Sequence, residues 1–179
     1  MIPILKERTP HMLQVAVVRH AIAEDRDPGG DATRPLTPEG RAKMRRGAIG
    51  LARILRGPTR LVSSPLLRAV QTAELIAQAY GGVTLEQSSV LAPGTCGEDL
   101  LEWVSTHTAG TVMILVGHEP ILGLWVSACL DRTDPPMFIF KKGAACLLEF
   151  PAMPAFGTAV LRWAYTPRQL RELGDSETL

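Results

Sequence analysis

Residues 13–21 read LQVAVVRHA, a nearly continuous apolar and β-branched run that ends abruptly on Arg19 and His20. A run of this kind suits a parallel strand buried on both faces, because such a strand has no water-facing side on which polar residues would alternate. Two further runs repeat the pattern. Arg60–Ser63 (RLVS) empties into Ser64-Pro65, and Thr111–Val116 (TVMILV) empties into Gly117-His118-Glu119-Pro120. Strands that feed polar loops and then helices are the grammar of α/β units, and the predicted fold is a three-layer α/β/α sandwich with a mostly parallel central sheet.

The intervening segments support this reading. Pro38 to about Arg56 has helical spacing, with Thr37 as N-cap, Met44, Ala48, Leu51 and Leu55 on one face, and Gly57-Pro58 as its stop. Ser64 and Pro65 suit the N-cap and first turn of a helix to about Tyr80, with Val70, Ala73, Ala77 and Tyr80 as its apolar stripe and Gly81-Gly82 as its end. Further helices are expected over Glu98–His107 and from Pro120 to about Leu130, and two late strands, Ala144–Phe150 and Ala159–Tyr165, read as a hairpin at the sheet edge. Ala23–Arg34 and Asp131–Met137, rich in Asp, Pro and Gly, are predicted surface loops, and Glu172–Leu179 a frayed tail.

The 179 residues and 19.4 kDa fit one domain. It is placed at residues 13–166, between an extension at 1–12 and a tail at 167–179. A composition of 46% hydrophobic and 21% charged residues is that of a soluble globular chain. A formal net charge of +1 offers no field for nucleic acid or an anionic membrane, so any anion site must be local. No apolar run approaches the roughly 20 residues of a membrane span, and the opening MIPILKERTPHM reaches charge too early for a secretory leader, which implies a cytoplasmic protein. Cys96, Cys129 and Cys146 lack paired spacing, so they read as small buried hydrophobes rather than metal ligands or a redox pair. His11 and His107 read as structural or exposed.

In open α/β sheets ligands bind beyond the carboxyl ends of the strands. That edge gathers Arg19, His20, Ser64, Arg68 and His118, two arginines and two histidines that no packing requirement explains. Arginine offers bidentate donors to phosphate oxygens and keeps its charge at any working pH. A histidine among them stays neutral and nucleophilic, because neighbouring cations disfavour its protonation. The chemistry inferred is in-line attack by His20 on phosphorus, charge stabilisation by Arg19, Arg68 and His118, and hydrolysis of a phospho-His20 intermediate. No metal and no cofactor is called for, since the arginines supply the positive charge.

Four ordered motifs, VVRHA (17–21), RPLTPEG (34–40), SSPLLRAVQTA (63–73) and VGHEP (116–120), resemble the histidine phosphatase superfamily. The compact length, the RPLT segment and PPMF (135–138) are most similar to phosphohistidine phosphatases of the SixA type. The resemblance implies a phosphoglycerate-mutase-like fold, His20 as nucleophile, Arg19 and Arg68 as phosphate ligands, and His118 as the second histidine. It departs at Ala21, where the family has glycine, and at VLAPGTCG (90–97), where ester-cleaving relatives carry a glutamate acid. Without that acid a phosphoramidate substrate is favoured, because a protonated imidazole leaves phosphorus more readily than an alkoxide.

The expected substrate is therefore phosphohistidine on a signalling or phosphotransfer protein. A phosphatase of small phosphate monoesters and a phosphate-binding module without turnover remain alternatives. Arg34 either reaches the phosphate or is a solvated loop residue, and Ser64 is a second weak phosphate ligand. Glu98 and Asp99 are either substitute acids or the acidic first turn of a helix. Lys141-Lys142 is a charged turn, or a basic rim for an acidic protein partner.

Overall fold

The computed structural model describes residues 12–107, 109–131 and 138–176. Its six strands are β1 (Leu13–Arg19), β2 (Arg60–Ser63), β3 (Leu85–Gln87), β4 (Val112–Gly117), β5 (Ala145–Phe150) and β6 (Val160–Tyr165). They form one sheet in the order β3-β2-β4-β1-β5-β6. The β3, β2, β4 and β1 strands are parallel, and β5 and β6 join antiparallel at the β1 side. Five helices cover the sheet: α1 (Pro38–Ile54), α2 (Leu67–Ala79), α3 (Gly97–Ser105), α4 (Ile121–Asp131) and α5 (Pro167–Asp175).

The continuous apolar runs are explained by two cores. Alternate residues of β1 point to opposite faces, as a strand's two-residue period requires. Ala16 and Val18 pack with Ala48 and Leu51 of α1, Ala73 and Ile76 of α2, and Leu170 of α5. Val15 and Val17 pack with Leu100 and Val104 of α3 and with Leu122, Trp125 and Val126 of α4. The fold is thus the α/β/α sandwich that the sequence predicts, with its sheet mostly parallel.

Local chemistry sets the element ends. Thr37 caps α1 by accepting from Gly40 N at 2.9 Å, and Met44, Ala48, Leu51 and Leu55 are all buried. The α2 helix starts later than predicted, at Leu67, and Ser64 is not its cap. The face it buries is accordingly Ala69, Thr72, Ala73 and Ile76, while Val70, Ala77 and Tyr80 are half-buried. Strand β3 has only three residues, half-buried or exposed, and carries no apolar run by which to predict it. Cys129 and Cys146 are buried as expected, but Cys96 is exposed at the N-terminus of α3.

The predicted tail at 167–179 opens with a helix, and the segment predicted to fray, Glu172–Leu179, is helical as far as Asp175. Thr166 and Gln169 form a capping box that starts α5. Leu170 is buried against α1, and Arg46 of α1 pairs with Asp175. Residues 177–179 lie outside the described residues, as do His11 and the rest of the predicted 1–12 extension before Met12, and all of the predicted 131–137 loop except Asp131, which closes α4.

The crossing of α1 and α5 depends on glycine. A Cβ on Gly50 would stand 1.9 Å from Leu170 O, and one on Gly174 would stand 2.1 Å from Arg46 O. Either clash is with backbone, so a helix has to move. Gly50→Ala is therefore expected to destabilise the chain by about 1–3 kcal/mol despite alanine's better helix propensity. Thermal unfolding should show a midpoint lowered by several degrees, and an unchanged midpoint would show that the crossing can relax.

Candidate active site

The parallel register of β1 and β4 places Arg19 opposite Gly117, so the next residues, His20 and His118, leave the sheet side by side. His20 N donates to Gly117 O at 3.0 Å and Ser64 N to Val116 O at 2.9 Å, which extends the ladder one step beyond the strand ends. The imidazole rings of His20 and His118 lie with centroids 5.0 Å apart. Both residues are buried, as is Arg68, the second residue of α2.

Each ring is oriented by one bond. Nδ1 of His20 is 2.7 Å from Ala21 O. A carbonyl can only accept, so Nδ1 carries the proton and Nε2 keeps its lone pair. Nε2 of His118 is 2.8 Å from Ser64 Oγ, whose hydroxyl can serve as donor or acceptor. The Ala21 backbone is itself fixed, since its N–H donates to Thr72 Oγ1 at 3.0 Å and that hydroxyl donates to Arg68 O at 2.6 Å.

The two guanidinium groups are held differently. Arg68 donates through Nη1 to Asp31 O at 2.7 Å and through Nη2 to the Asp31 carboxylate at 2.9 Å. Arg19 donates through Nη1 to Phe140 O at 2.6 Å, and Phe140 N donates at 2.6 Å to the Glu119 carboxylate. Gly143, at φ 82°, turns its N–H toward both Arg19 O and His20 O at 3.1 Å. Among the described residues, Nε of Arg19, Nε of Arg68 and Nδ1 of His118 are buried without a hydrogen-bond partner. Unpaired buried polar groups are costly in a folded interior, and a cluster of three marks a place suited to a polar ligand.

Burial fixes the charge state of the pair. The pKa of His20 is pushed down to about 4, chiefly by burial and further by Arg68, Arg19 and Lys142, against the opposing bond to Ala21 O. That of His118 is pushed down to about 3, again chiefly by burial, with His20, Arg68 and Arg19 adding to the shift and Asp31 opposing it. Both rings are neutral at pH 7. Burial also lowers the pKa of Arg19, with Glu119 opposing the shift.

Arg19, His20, Arg68 and His118 are therefore brought together, and Ser64 joins them through His118. Arg34 joins at one remove, because its Nε donates to the same Asp31 carboxylate at 2.8 Å while Nη1 donates to Glu24 O. Burial raises the pKa of Asp31, but its bonds to Arg68 and Arg34 outweigh this and hold it below the ordinary carboxylate value. Glu98 and Asp99 are exposed at the start of α3. The Glu98 carboxylate accepts from Cys96 Sγ at 2.6 Å, which lowers its pKa. His107 is half-buried on Trp103, with rings 4.6 Å apart.

Sequence reasoning missed Asp31 and Glu119. Asp31 lies in a segment that reads as a plain surface loop, and nothing local to it indicates an arginine 37 positions away. Glu119 stands beside His118 in a quoted motif and could have been found there. Burial raises the Glu119 pKa, while bonds from Phe140 N and Gly123 N, together with Arg19, oppose the shift. Among the described residues, no cluster of three or more His, Cys, Asp or Glu side chains is placed to hold a metal ion, and no helix is long and apolar enough to cross a membrane.

The pattern of the histidine phosphatase superfamily (branch 1) matches residues 15–93. An uncharacterised protein of Picosynechococcus is 38% identical over 120 residues, 65% of this chain and 72% of that relative. The chain belongs to the histidine phosphatase superfamily. Within the superfamily it is similar to the phosphohistidine phosphatase SixA of Escherichia coli, at 27% identity over 89% of this chain and 97% of that protein. A solved structure of the protein histidine phosphatase SixA complexed with tungstate superposes with TM-score 0.76 at 28% identity, covering 88% of this chain and 99% of the other. The phosphoglycerate mutase of Plasmodium falciparum shares the fold at TM-score 0.61 and 18% identity, over 85% of this chain and 89% of its own, a likeness of fold alone.

Depressed histidine pKa values have a fixed consequence for stability. Between about pH 6.5 and pH 4 the unfolded chain binds protons at these two positions and the folded chain does not, so stability falls as the pH falls through that window. Denaturant midpoints are expected to drop between pH 7 and pH 4.5, and to drop less in a His20→Asn/His118→Asn double variant. Ring nuclear magnetic resonance signals of both histidines should still report neutral imidazole at pH 5. A ring that titrates near its ordinary value would overturn the assignment.

Proposed function

We infer that the chain is a phosphatase that works through a phosphohistidine intermediate on His20 and acts on phosphohistidine carried by another protein. The observation that carries the reading is the 2.7 Å contact between His20 Nδ1 and Ala21 O, which leaves Nε2 as a neutral nucleophile 5.0 Å, ring to ring, from a second neutral histidine.

In the first step Nε2 of His20 attacks phosphorus, and the bond from phosphorus to the substrate's imidazole nitrogen breaks; that ring carries a proton on its other nitrogen, so the electron pair returns to the leaving nitrogen and neutral imidazole departs. In the second, water attacks phospho-His20, releasing phosphate and restoring the ring. Arg19 and Arg68 hold the phosphoryl oxygens, using the Nε donors that lack a protein partner. The Ser64 hydroxyl donates to Nε2 of His118, which places a proton on Nδ1 and makes His118 a third donor. Ser64 is thus a positioning residue, and Asp31 keeps Arg68 extended toward the site.

The substrate class rests on the leaving group. Glu98 and Asp99 stand exposed on α3, the lowered pKa of Glu98 leaves it protonated even less often than an ordinary glutamic acid, and both histidines are neutral. An alkoxide needs an enzyme acid to leave, whereas a phosphoimidazole protonated on its other ring nitrogen releases neutral imidazole without one, which favours a phosphorus–nitrogen bond. Similarity to SixA over nearly its whole length supports the same choice. The test is phosphate release from a phosphohistidine-bearing phosphotransfer domain beside a panel of phosphate monoesters, with His20→Ala as control. Release from phosphohistidine that depends on His20 is expected. Preference for an ester would reassign the substrate to small molecules and keep the nucleophile.

Two variants test the residue roles. His20→Ala should abolish the acid-labile, label-retaining intermediate in quenched reactions while circular dichroism stays native, and a persisting label would move the nucleophile elsewhere. Ser64→Ala should reduce kcat by about tenfold or more, as loss of an oriented donor does, and leave the ring pair folded. An unchanged kcat would remove Ser64 from the mechanism.

A further inference from the structure

Beside the histidine pair lies a groove of about 430 Å³ between α1, α5 and the turn at 141–143. Arg19, Lys43, Lys141, Lys142 and Arg171 line it, and among the described lining residues there is no carboxylate. Ala21 and Met44, buried among its lining residues, make its floor apolar. The whole chain carries a formal charge of only +1, so five cations around one groove are a local concentration rather than a general surface property. Lys43 pairs with Glu39 of the same helix, and Arg171 donates to Pro167 O at 3.0 Å, which leaves its charge uncompensated by that bond.

The groove is continuous with the candidate active site. Arg19 belongs to both, Gly143 of the same turn donates to Arg19 O and His20 O, and the charge of Lys142 acts on the His20 ring. We propose that this groove docks an acidic segment of the phosphorylated protein, with carboxylates on the cationic rim and an apolar side chain on the Met44 floor. The inference rests on the phosphohistidine reading above and deepens it. Charge complementarity selects the occupant: rim cations screened by solvent add on-rate and specificity to a protein encounter. A small ester would need buried polar ligands, which this floor lacks.

The test compares wild type with the Lys43→Gln/Lys141→Gln/Arg171→Gln triple variant and, as a variant that alters only an exposed turn residue, Lys141→Glu alone. Substrates are a phosphohistidine-bearing acidic phosphotransfer domain and the phosphoramidate ion. For the protein substrate, KM should rise about tenfold in the triple variant, the sum of three modest rim contributions, while phosphoramidate turnover stays within about twofold. Added salt should raise the wild-type KM for the protein and leave that of the variant nearly flat.

Equal losses on both substrates would mean damage to the phosphoryl site and would overturn the proposal, as would an unchanged KM for the protein. Loss of turnover on a small bisphosphate with the phosphoprotein unaffected would hand the groove to small molecules and also overturn it. A wild type that leaves the phosphodomain intact sinks the phosphohistidine reading and the groove together, whereas a working wild type matched by its variants sinks the groove alone.

Discussion

The pairing of Arg19 with Gly117 across β1 and β4 is the constraint on which the rest of the site depends. Because β1 and β4 run parallel, their polar ends emerge at one edge, and because Arg19 faces Gly117, His20 and His118 emerge at the same height. A slip of one residue would turn every β1 side chain to the opposite core and carry one histidine away from the other. The two-core packing of Val15 to Val18 resists such a slip, since Ala16 and Val18 fit against α1 and α2 while Val15 and Val17 fit against α4. Gly117 serves the same register, because a Cβ there would meet Leu122 at 3.2 Å and Leu91 O at 3.4 Å.

Burial then divides labour between the two residue types. Taking a cation out of water is costly, and a group that can shed its proton does so. The histidines, with ordinary values near neutrality, become neutral, while the guanidinium groups keep their protons and their charge. The site therefore holds neutral imidazoles among fixed cations. The same burial that keeps the His20 ring neutral at neutral pH makes the arginines expensive to leave unpaired, and each of them is tied by at least one short bond.

The strand ends that carry Arg19, His20 and His118 were legible because each is a local event, an apolar run followed at once by polar residues. The α1 helix was legible for a similar reason, with cap, stripe and stop all lying within one stretch of chain. What escaped was long-range or weakly apolar. Ser64 has the composition of a cap, but its hydroxyl is claimed by His118, 54 residues away. Asp31 gives no sign that Arg68 will reach it, and β3 is stabilised by pairing with β2 rather than by any pattern of its own. The α5 helix has a strong cap but a single buried leucine, and its place comes from two glycines that let backbones touch.

The different tethers of the two arginines explain how a site can be both assembled and receptive. Arg68 is bound to an ion, yet the Asp31 side chain is 62% exposed, so water screens the pair and its worth is modest, of the order of 0–1 kcal/mol. That is enough to keep a long side chain extended and too little to saturate its charge. Arg19 is bound to a carbonyl dipole, which fixes its plane and leaves its charge in place. The dianion proposed as ligand would meet two oriented cations whose present partners are weak competitors.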